Sequence, residues 1–147
     1  MKKGYFMLDD VLINKIAVIL NCLKRITEEY HGHEKELGFN YTKQDSIVLN
    51  LQRACEASID LGTRIIRMKK LDVPQQGRDV FVILEKNQLI SSETSKHMQA
   101  MVGFRNIAVH DYQKLNLEIV RSILENHLSD FQEFIKAIHQ SCQSIQG

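Results

Sequence analysis

The densest group of chemically capable side chains lies in the segment GFRNIAVHDY, residues 103–112. Arg105 is a permanent cation whose planar guanidinium suits a phosphate group. His110 can take up or release a proton near neutral pH, and the amide of Asn106 can orient either partner. Tyr112 carries a hydroxyl that can accept a modifying group. These residue types are suited to binding a phosphate and moving a proton beside it.

Helical geometry limits how these side chains can cooperate. On a straight helix, at about 100° per residue, Arg105 and His110 lie about 140° apart. Asn106 and His110 share a face, and so do Arg105 and Tyr112. Two solutions are open. Either the helix ends or bends inside the segment, or two copies of the segment face each other across a twofold axis, so that the arginine of one chain serves the histidine of the other.

The elements that must position this segment are helices, because apolar residues recur at steps of three and four. Asp9 or Asp10 can cap the first helix, Pro74 forbids continuation of the second, and Ser91 or Ser92 can cap the fourth. The five predicted helices cover residues 9–30, 43–70, 79–87, 92–105 and 117–142. Residues 31–42 and 71–78 are predicted loops. The expected architecture is an all-α, up-and-down antiparallel bundle with two long helices as its spine.

Composition sets the outer limits. A chain of 147 residues is sized for one domain, predicted to span residues 1–147 with residues 1–8 as an N-terminal extension. Its hydrophobic share of 44% and charged share of 25% exclude wholesale disorder, and a single proline disfavours a β-sandwich. Because the net charge is only +1, nucleic-acid binding would need a local basic patch.

The cysteines and the N-terminus bear on location. Cys22, Cys55 and Cys142 are an odd number at wide spacing, which is not a disulfide framework, and no CxxC pair suggests a metal. The sequence shows no apolar run of about 20 residues and no signal-peptide pattern. We therefore expect a reduced, cytoplasmic protein without a membrane segment.

The apolar stripes of the first and last helices are wider than a lone bundle needs. The extra apolar residues are Ile13, Val18, Ile119 and Ile123. A wide stripe is explained either by a snug core or by a face for dimerisation, and both explanations are open at this point.

The string RNIAVHDY resembles the R-x4-H-x-Y motif of HEPN-domain toxins that are paired with a minimal nucleotidyltransferase antitoxin. The similarity extends to the segments KIAVILNCLKRITEEY, QDSIVLNLQRACEASIDLGTRII, VPQQGRDVFVILEKNQLIS and MQAMVGFRNIAVHDY, which follow one another as they do in that family. It covers roughly residues 9–138. The tyrosine and the second-helix string make the resemblance more specific than R-x4-H alone.

The resemblance implies a homodimeric helical-bundle ribonuclease, active without metal or cofactor, in a toxin–antitoxin module of type II or VII. The motifs of two protomers would meet in a cleft at the dimer interface. Arg105 and His110 match the catalytic positions, and Asn106 matches the polar residue that commonly follows the arginine. Tyr112 matches the tyrosine that the partner nucleotidyltransferase modifies with AMP, which silences the toxin.

The residue types fit cleavage of RNA through its own 2′-OH. His110 would act as general acid and base, and Arg105 would hold the phosphate and its developing charge. The product would carry a 2′,3′-cyclic phosphate. AMP on Tyr112 would bring an anion into the cleft and repel the RNA backbone.

Other candidates are weaker. Arg64 and Arg67, in a basic run at the end of the second helix, are RNA-contacting candidates, although such runs commonly complement the helix dipole. Lys96 and His97 could line the cleft from the fourth helix, although ordinary solvent-exposed positions explain them equally simply. The HGHE segment, residues 31–34, lacks a third metal ligand at helical spacing, so we expect a solvated loop there and no metal site.

Two other functions compete with a ribonuclease. One is a non-catalytic subunit that binds a nucleotide or substrate and partners a nucleotidyltransferase. The other is a purely structural oligomeric bundle. The intact pair of Arg105 and His110 favours the ribonuclease, since a pure binding module would not require both.

Overall fold

The computed structural model describes residues 7–142 and contains six α-helices and no strand within them. Two short 3-10 helices, Glu34–Gly38 and Tyr112–Lys114, lie in the connections. The α-helices are α1 (Asp10–Tyr30), α2 (Tyr41–Met68), α3 (Gly77–Lys86), α4 (Ser92–His110), α5 (Leu117–Asn126) and α6 (Leu128–Cys142). The predicted all-α bundle is confirmed.

Helices α1 and α2 form the antiparallel spine. Asp9, just before α1, accepts a hydrogen bond of 2.6 Å from Arg64 near the end of α2. At the opposite end, Lys43 in the first turn of α2 donates to Glu29 in the last turn of α1 at 3.1 Å. The alternating steps of three and four place the apolar side chains of both helices on the inside.

The core joins this spine to the remaining helices. Phe81 of α3 and Phe134 of α6 are fully buried and pack edge to face, with ring centroids 5.3 Å apart. Val80, Phe81 and Leu84 of the short helix α3 are all buried. The helix that carries the motif, α4, packs against α2, α3 and α6.

The three cysteines are free and buried. Burial raises the pKa of each thiol because the charged thiolate loses hydration. The Sγ of Cys55 also approaches the carbonyl oxygen of Met101 at 3.5 Å, which links α2 to α4. These side chains behave as small apolar groups of the core.

The helix starts depart in detail from the sequence predictions. Asn40 accepts a hydrogen bond from Lys43 N and caps α2, which starts two residues earlier than predicted. The predicted loop 31–42 also contains the 3-10 helix Glu34–Gly38. Helix α3 starts at Gly77 instead of residue 79, and the carboxylate of Asp79 accepts hydrogen bonds from the backbone of Gln75 and Gln76.

The single last helix predicted over residues 117–142 is wrong, and with it the count of five. Helix α5 ends at Asn126, and α6 begins at Leu128. His127 between them bonds through Nδ1 to the carboxylate of Asp130 at 3.0 Å. Asp130 lies at the third position of α6, where a carboxylate stabilises a helix start. Apolar periodicity continues across this break and conceals it.

The extra apolar residues of the wide stripes divide between core and surface. Val18 packs on the core and Ile123 is buried, whereas Ile13 and Ile119 remain exposed. Packing in the core therefore accounts for two of these four apolar residues. None of the helices that the structure describes is both long and apolar enough to cross a membrane.

Candidate functional site

Helix α4 carries the motif from Gly103 through His110, and Tyr112 lies in the 3-10 helix that follows. Ser91 caps it by accepting a hydrogen bond from Thr94 N, as predicted, and the helix continues through His110. The backbone bond from Asp111 N to the carbonyl oxygen of Ile107 closes its last turn. Of the two open solutions, an end or bend of the helix between Arg105 and His110 does not occur, since α4 ends only after His110. Arg105 and His110 point to different sides of one continuous helix.

The side chain of Arg105 lies in a packed environment. Long side chains of a helix lean towards its N-terminus, which directs Arg105 to the start of α3. A methyl group on Gly77 would lie 3.3 Å from Arg105 Nη2, and 3.1 Å from both Ile59 Cδ1 and Val102 Cγ1. The glycine at the first position of α3 thus leaves the space that the guanidinium uses.

The guanidinium of Arg105 has unused hydrogen-bonding capacity. Its Nε is buried and has no hydrogen-bond partner within residues 7–142. None of the ion pairs in that range includes Arg105. A buried donor without a partner costs about 1–3 kcal/mol, so an oxyanion that accepted this hydrogen bond would recover that cost. The guanidinium of Arg105 is therefore not neutralised by any carboxylate within residues 7–142.

A second guanidinium lies nearby. Arg78, the second residue of α3, crosses α4 at Gly103, where a methyl group would come within 2.6 Å of its Nη2. Gly103 thus lets Arg78 approach the backbone of α4 two residues before Arg105. Both arginines belong to the contact between the start of α3 and the second half of α4.

His110 and Asn106 lie on the open side of α4. Both side chains are exposed, and neither takes part in a side-chain hydrogen bond to the rest of the described chain. Four residues apart, they share a face, as predicted. The imidazole is accessible to a substrate from solvent.

Tyr112 is held by a residue that the sequence analysis did not single out. Its hydroxyl donates a hydrogen bond of 2.6 Å to Oδ1 of Asp45, in the first turns of α2. The side chain is 45% exposed. Partial burial and the carboxylate of Asp45 together raise the pKa of Tyr112 to about 12.

Within one chain, Arg105 and Tyr112 contact α2 at different levels. The guanidinium of Arg105 lies near Ile59, whereas the hydroxyl of Tyr112 lies at Asp45. At a rise of 1.5 Å per residue, these positions on α2 are about 20 Å apart along the axis. A single chain therefore does not bring Arg105, His110 and Tyr112 around one point.

The remaining basic candidates have different surroundings. Arg67 lines a cavity of about 320 Å³ between the end of α2 and the start of α3, which Gly77 also lines. Arg64 pairs with Asp9, and its Nε, like that of Arg105, is buried without a partner in the described range. Lys96 is exposed.

His97 belongs to a separate group of side chains. Its Nδ1 lies 3.4 Å from Asp130, which also accepts from His127. These three residues line an apolar groove of about 360 Å³ that reaches the exposed Ile107 and Ile119. His97 therefore faces α5 and α6.

Sequence reasoning missed Asp45, Arg78 and Gly77. Asp45 lies 67 residues from Tyr112, and no local pattern connects the two. Gly103 did carry a signal, because a glycine inside a helical pattern commonly marks a close approach of another group. No group of three or more His, Cys, Asp or Glu side chains that could hold a metal occurs within residues 7–142.

Comparison with known proteins agrees with this architecture. The family model described as "Ribonuclease HepT-like" matches residues 4–138. The mRNA nuclease HepT of Shewanella oneidensis is 49% identical over 131 residues, covering 89% of this chain and 98% of that protein.

Solved structures show the same similarity. A tri-AMPylated Shewanella oneidensis HEPN toxin, in complex with its MNT antitoxin, has a TM-score of 0.85 and 48% identity, covering 90% of this chain and 98% of that one. A toxin–antitoxin complex with AMP-PNP has the same TM-score and identity, covering 88% and 98%. The cytosolic protein YutE of Bacillus subtilis, 14% identical with a TM-score of 0.77 over 92% and 91%, shares the fold.

These similarities confirm the predicted family and the predicted function of a ribonuclease toxin from a toxin–antitoxin module. The match extends over nearly the whole chain and includes the motif-bearing helix. The chain belongs to the ribonuclease HepT-like family.

Proposed function

We propose that this ribonuclease cleaves RNA without a metal, in a site built from two copies of the chain and silenced by AMP on Tyr112. Arg105 binds the scissile phosphate and stabilises the charge of the phosphorane. His110 removes the proton of the 2′-OH and returns one to the leaving oxygen. Asn106, on the same face as His110, orients the substrate or the imidazole. The product carries a 2′,3′-cyclic phosphate.

The observation that carries this proposal is the unpartnered guanidinium of Arg105. It is partly buried, its Nε lacks a protein acceptor within residues 7–142, and Gly77 keeps the space beside it open. A phosphodiester oxygen bound by the guanidinium would make a charge-assisted hydrogen bond, which is stronger than one between neutral groups. His110, accessible and unengaged, complements this fixed anion-binding group.

A homodimer is proposed because one chain separates the two groups. Helix α4 is continuous from Arg105 to His110, so the arginine and the histidine need a second surface to meet at one phosphate. Ile107 and Val109 are exposed large apolar residues within the motif itself. Apolar side chains among the catalytic positions are suited to contact with a second copy of the same segment.

Silencing is proposed to occur through Tyr112. A related toxin is AMPylated and bound to an MNT antitoxin, and Tyr112 matches the modified position in the family's motif. Its hydroxyl lies on an exposed side chain two residues beyond His110, at the start of the following 3-10 helix. Each AMP adds a phosphodiester anion, which would repel RNA from the two-chain site. The partner is therefore a minimal nucleotidyltransferase antitoxin.

Further RNA contacts are proposed at Arg64, Arg67, Lys96 and His97. Arg67 is the best placed, because its cavity extends to Gly77 and so to the surroundings of Arg105. Exposed cations act on the RNA backbone in a sequence-independent and salt-dependent way. A cytoplasmic location agrees with the three free thiols and with an RNA substrate.

The test is cleavage of purified total RNA in the presence of a metal chelator. The wild-type protein is expected to generate fragments that end in 2′,3′-cyclic phosphate, and the Arg105→Ala protein is expected to generate none. Circular dichroism of both proteins checks that the helical fold is retained. Cleavage by Arg105→Ala at the wild-type rate, or complete inhibition by the chelator, would contradict the proposed mechanism.

A further inference from the structure

The hydrogen bond between Tyr112 and Asp45 concerns the atom on which silencing is proposed to occur. Tyr112 Oη donates to Asp45 Oδ1 across 2.6 Å, a distance typical of a hydroxyl that bonds to a carboxylate. The donor lies in the 3-10 helix after α4, and the acceptor lies in α2. The phenolic proton thus already points at a possible acceptor.

Asp45 is free for this role. It is exposed, and none of the ion pairs within residues 7–142 includes it. Its hydrogen bond to Tyr112 is the one side-chain hydrogen bond of this carboxylate in that range. By contrast Asp60, an exposed carboxylate of the same helix, pairs with Lys15 at 3.1 Å.

A phenol is a poor nucleophile while it keeps its proton. The pKa of Tyr112, raised to about 12 by desolvation and then by Asp45, leaves almost no phenolate at neutral pH. Attack on a phosphorus atom therefore requires that the proton leave as the new bond forms. A carboxylate at hydrogen-bond distance is placed to accept it.

We propose that Asp45 accepts the proton of Tyr112 during nucleotidyl transfer, so that this chain supplies the base for its own modification. Tyr112 Oη forms a bond to the α-phosphorus of ATP while the bond from that phosphorus to the oxygen bridging to the β-phosphate breaks. Pyrophosphate leaves, the phenolic proton passes to Asp45 Oδ1, and solvent later removes it. This inference rests on the proposed modification of Tyr112.

The product state differs in its contacts. An esterified Tyr112 oxygen has no hydrogen to donate, so the bond to Asp45 is lost. The new phosphodiester anion would also lie near the Asp45 carboxylate, and like charges repel. The modified turn would therefore move away from the start of α2, and the added nucleotide with it.

The experiment measures AMP uptake by intact-mass spectrometry after mixing the full-length protein with its minimal nucleotidyltransferase antitoxin and Mg-ATP. Asp45→Asn keeps a hydrogen-bond acceptor but cannot take the proton, and Asp45→Ala removes both. Initial rates of both variants are expected to fall by about 10² at pH 7. Asp60→Asn is the matched control and should keep the wild-type rate.

The pH dependence separates proton acceptance from simple positioning. The rate of Asp45→Asn is expected to rise more steeply with pH than that of the wild type, because phenolate must then form without a base. A wild-type rate and pH profile in Asp45→Asn would overturn the role of Asp45 and leave Tyr112 as the modified residue. A slow rate with an unchanged pH profile would also overturn it.

Two further measurements distinguish this failure from failure of the proposed function. Unmodified Asp45→Asn is expected to cleave RNA like the wild type, which shows that its fold and cleavage site are intact. AMP uptake by Tyr112→Phe at the wild-type rate, or no uptake by the wild type, would overturn the proposed silencing step and the role of Asp45 with it.

Discussion

The two ends of the motif differ in how firmly the chain holds them. Arg105 is packed between the start of α3 and the spine. A methyl group on Gly77 would lie 3.3 Å from Arg105 Nη2 and 3.1 Å from Val102 Cγ1. His110 is exposed and unengaged within the described range, and a single side-chain hydrogen bond holds Tyr112. In the proposed mechanism, one chain would thus supply a packed anion-binding group, and the exposed His110 would be completed by another surface.

This difference has an energetic counterpart. The buried Nε of Arg105 without a protein acceptor costs about 1–3 kcal/mol, and packing around it must offset that cost. His110 pays no such cost, because water solvates it. We infer that the arginine is preorganised for its ligand, whereas the histidine gains its environment on assembly.

The largest expected effect on RNA cleavage comes from removing Arg105 from one chain and His110 from another. Arg105→Ala and His110→Ala are each expected to lose cleavage by about 10² or more. Co-expressed in equal amounts, they should regain about a quarter of the wild-type activity, because half of the dimers would be mixed and each would hold one intact site. RNA cleavage at matched protein concentration measures this. Activity that stays lost in the mixture would show that both groups act within one chain.

The second effect concerns the proposed partner surface. Val109, 41% exposed between the motif residues, is expected to contact the second copy. Val109→Asp should shift the protein towards monomer in light scattering and reduce cleavage by about tenfold at low protein concentration, because a charge is buried without a partner. Val82→Asp, at the 45% exposed Val82 of α3, is the control and should remain like the wild type. Equal behaviour of the two variants would place the interface elsewhere.

A smaller effect on cleavage is expected from disturbing only the packing around Arg105. The methyl group of Gly77→Ala would meet Arg105 Nη2 at 3.3 Å and two apolar side chains at 3.1 Å, so the guanidinium must move by a few tenths of an ångström. We expect cleavage to fall by about threefold to tenfold, mainly in kcat. Gly38→Ala meets nothing within 4 Å and serves as control. An unchanged kcat in Gly77→Ala would mean that Arg105 is not held as tightly as its packing indicates.

The smallest expected effect concerns the ion pair between Arg64 and Asp9. The Nε of Arg64, like that of Arg105, is buried without a partner in the described range, but the Arg64 guanidinium donates to the carboxylate of Asp9. Hydrogen bonds from Arg64 and from the backbone of Leu12 lower the pKa of Asp9. A lowered pKa contributes stability above the unfolded value of about 3.8, and this contribution is lost as pH falls through the folded-state pKa.

We therefore expect Asp9→Asn, which can still cap α1, to reduce the free energy of unfolding by less than about 1 kcal/mol at pH 7. The difference from the wild type should shrink as the pH falls below 3.8 towards the lowered folded-state pKa of Asp9. Urea unfolding over a series of pH values measures it. A difference that persists at low pH would assign the effect to capping and not to the ion pair.

Much of the fold could be predicted from local patterns. The stripes of α1 and α2 and the caps at Asp9 and Ser91 depend on residues within one or two turns of one another. The helix break at His127 could not be predicted in this way. It depends on the hydrogen bond between the side chains of His127 and Asp130, whereas the apolar periodicity continues across the break. Local periodicity reports which face is buried, not whether the backbone is continuous.

The site divides in the same way. The residue types of Arg105, His110 and Tyr112, and the angular separation of Arg105 and His110 on α4, follow from sequence. The partners that tune them do not, because Gly77 and Asp45 reach the motif only through the packing of α3 and α2 against α4. Contacts across long sequence separations have no local signature.

The burial of the three cysteines gives the native chain its own reporters of opening. Alkylating reagents react with thiolates, and burial suppresses both access and ionisation at each position. Cys55 contacts the backbone of the motif helix, whereas Cys22 lies on α1 and Cys142 ends α6. The order in which these thiols become labelled would therefore reveal which helices separate first, without any engineered probe.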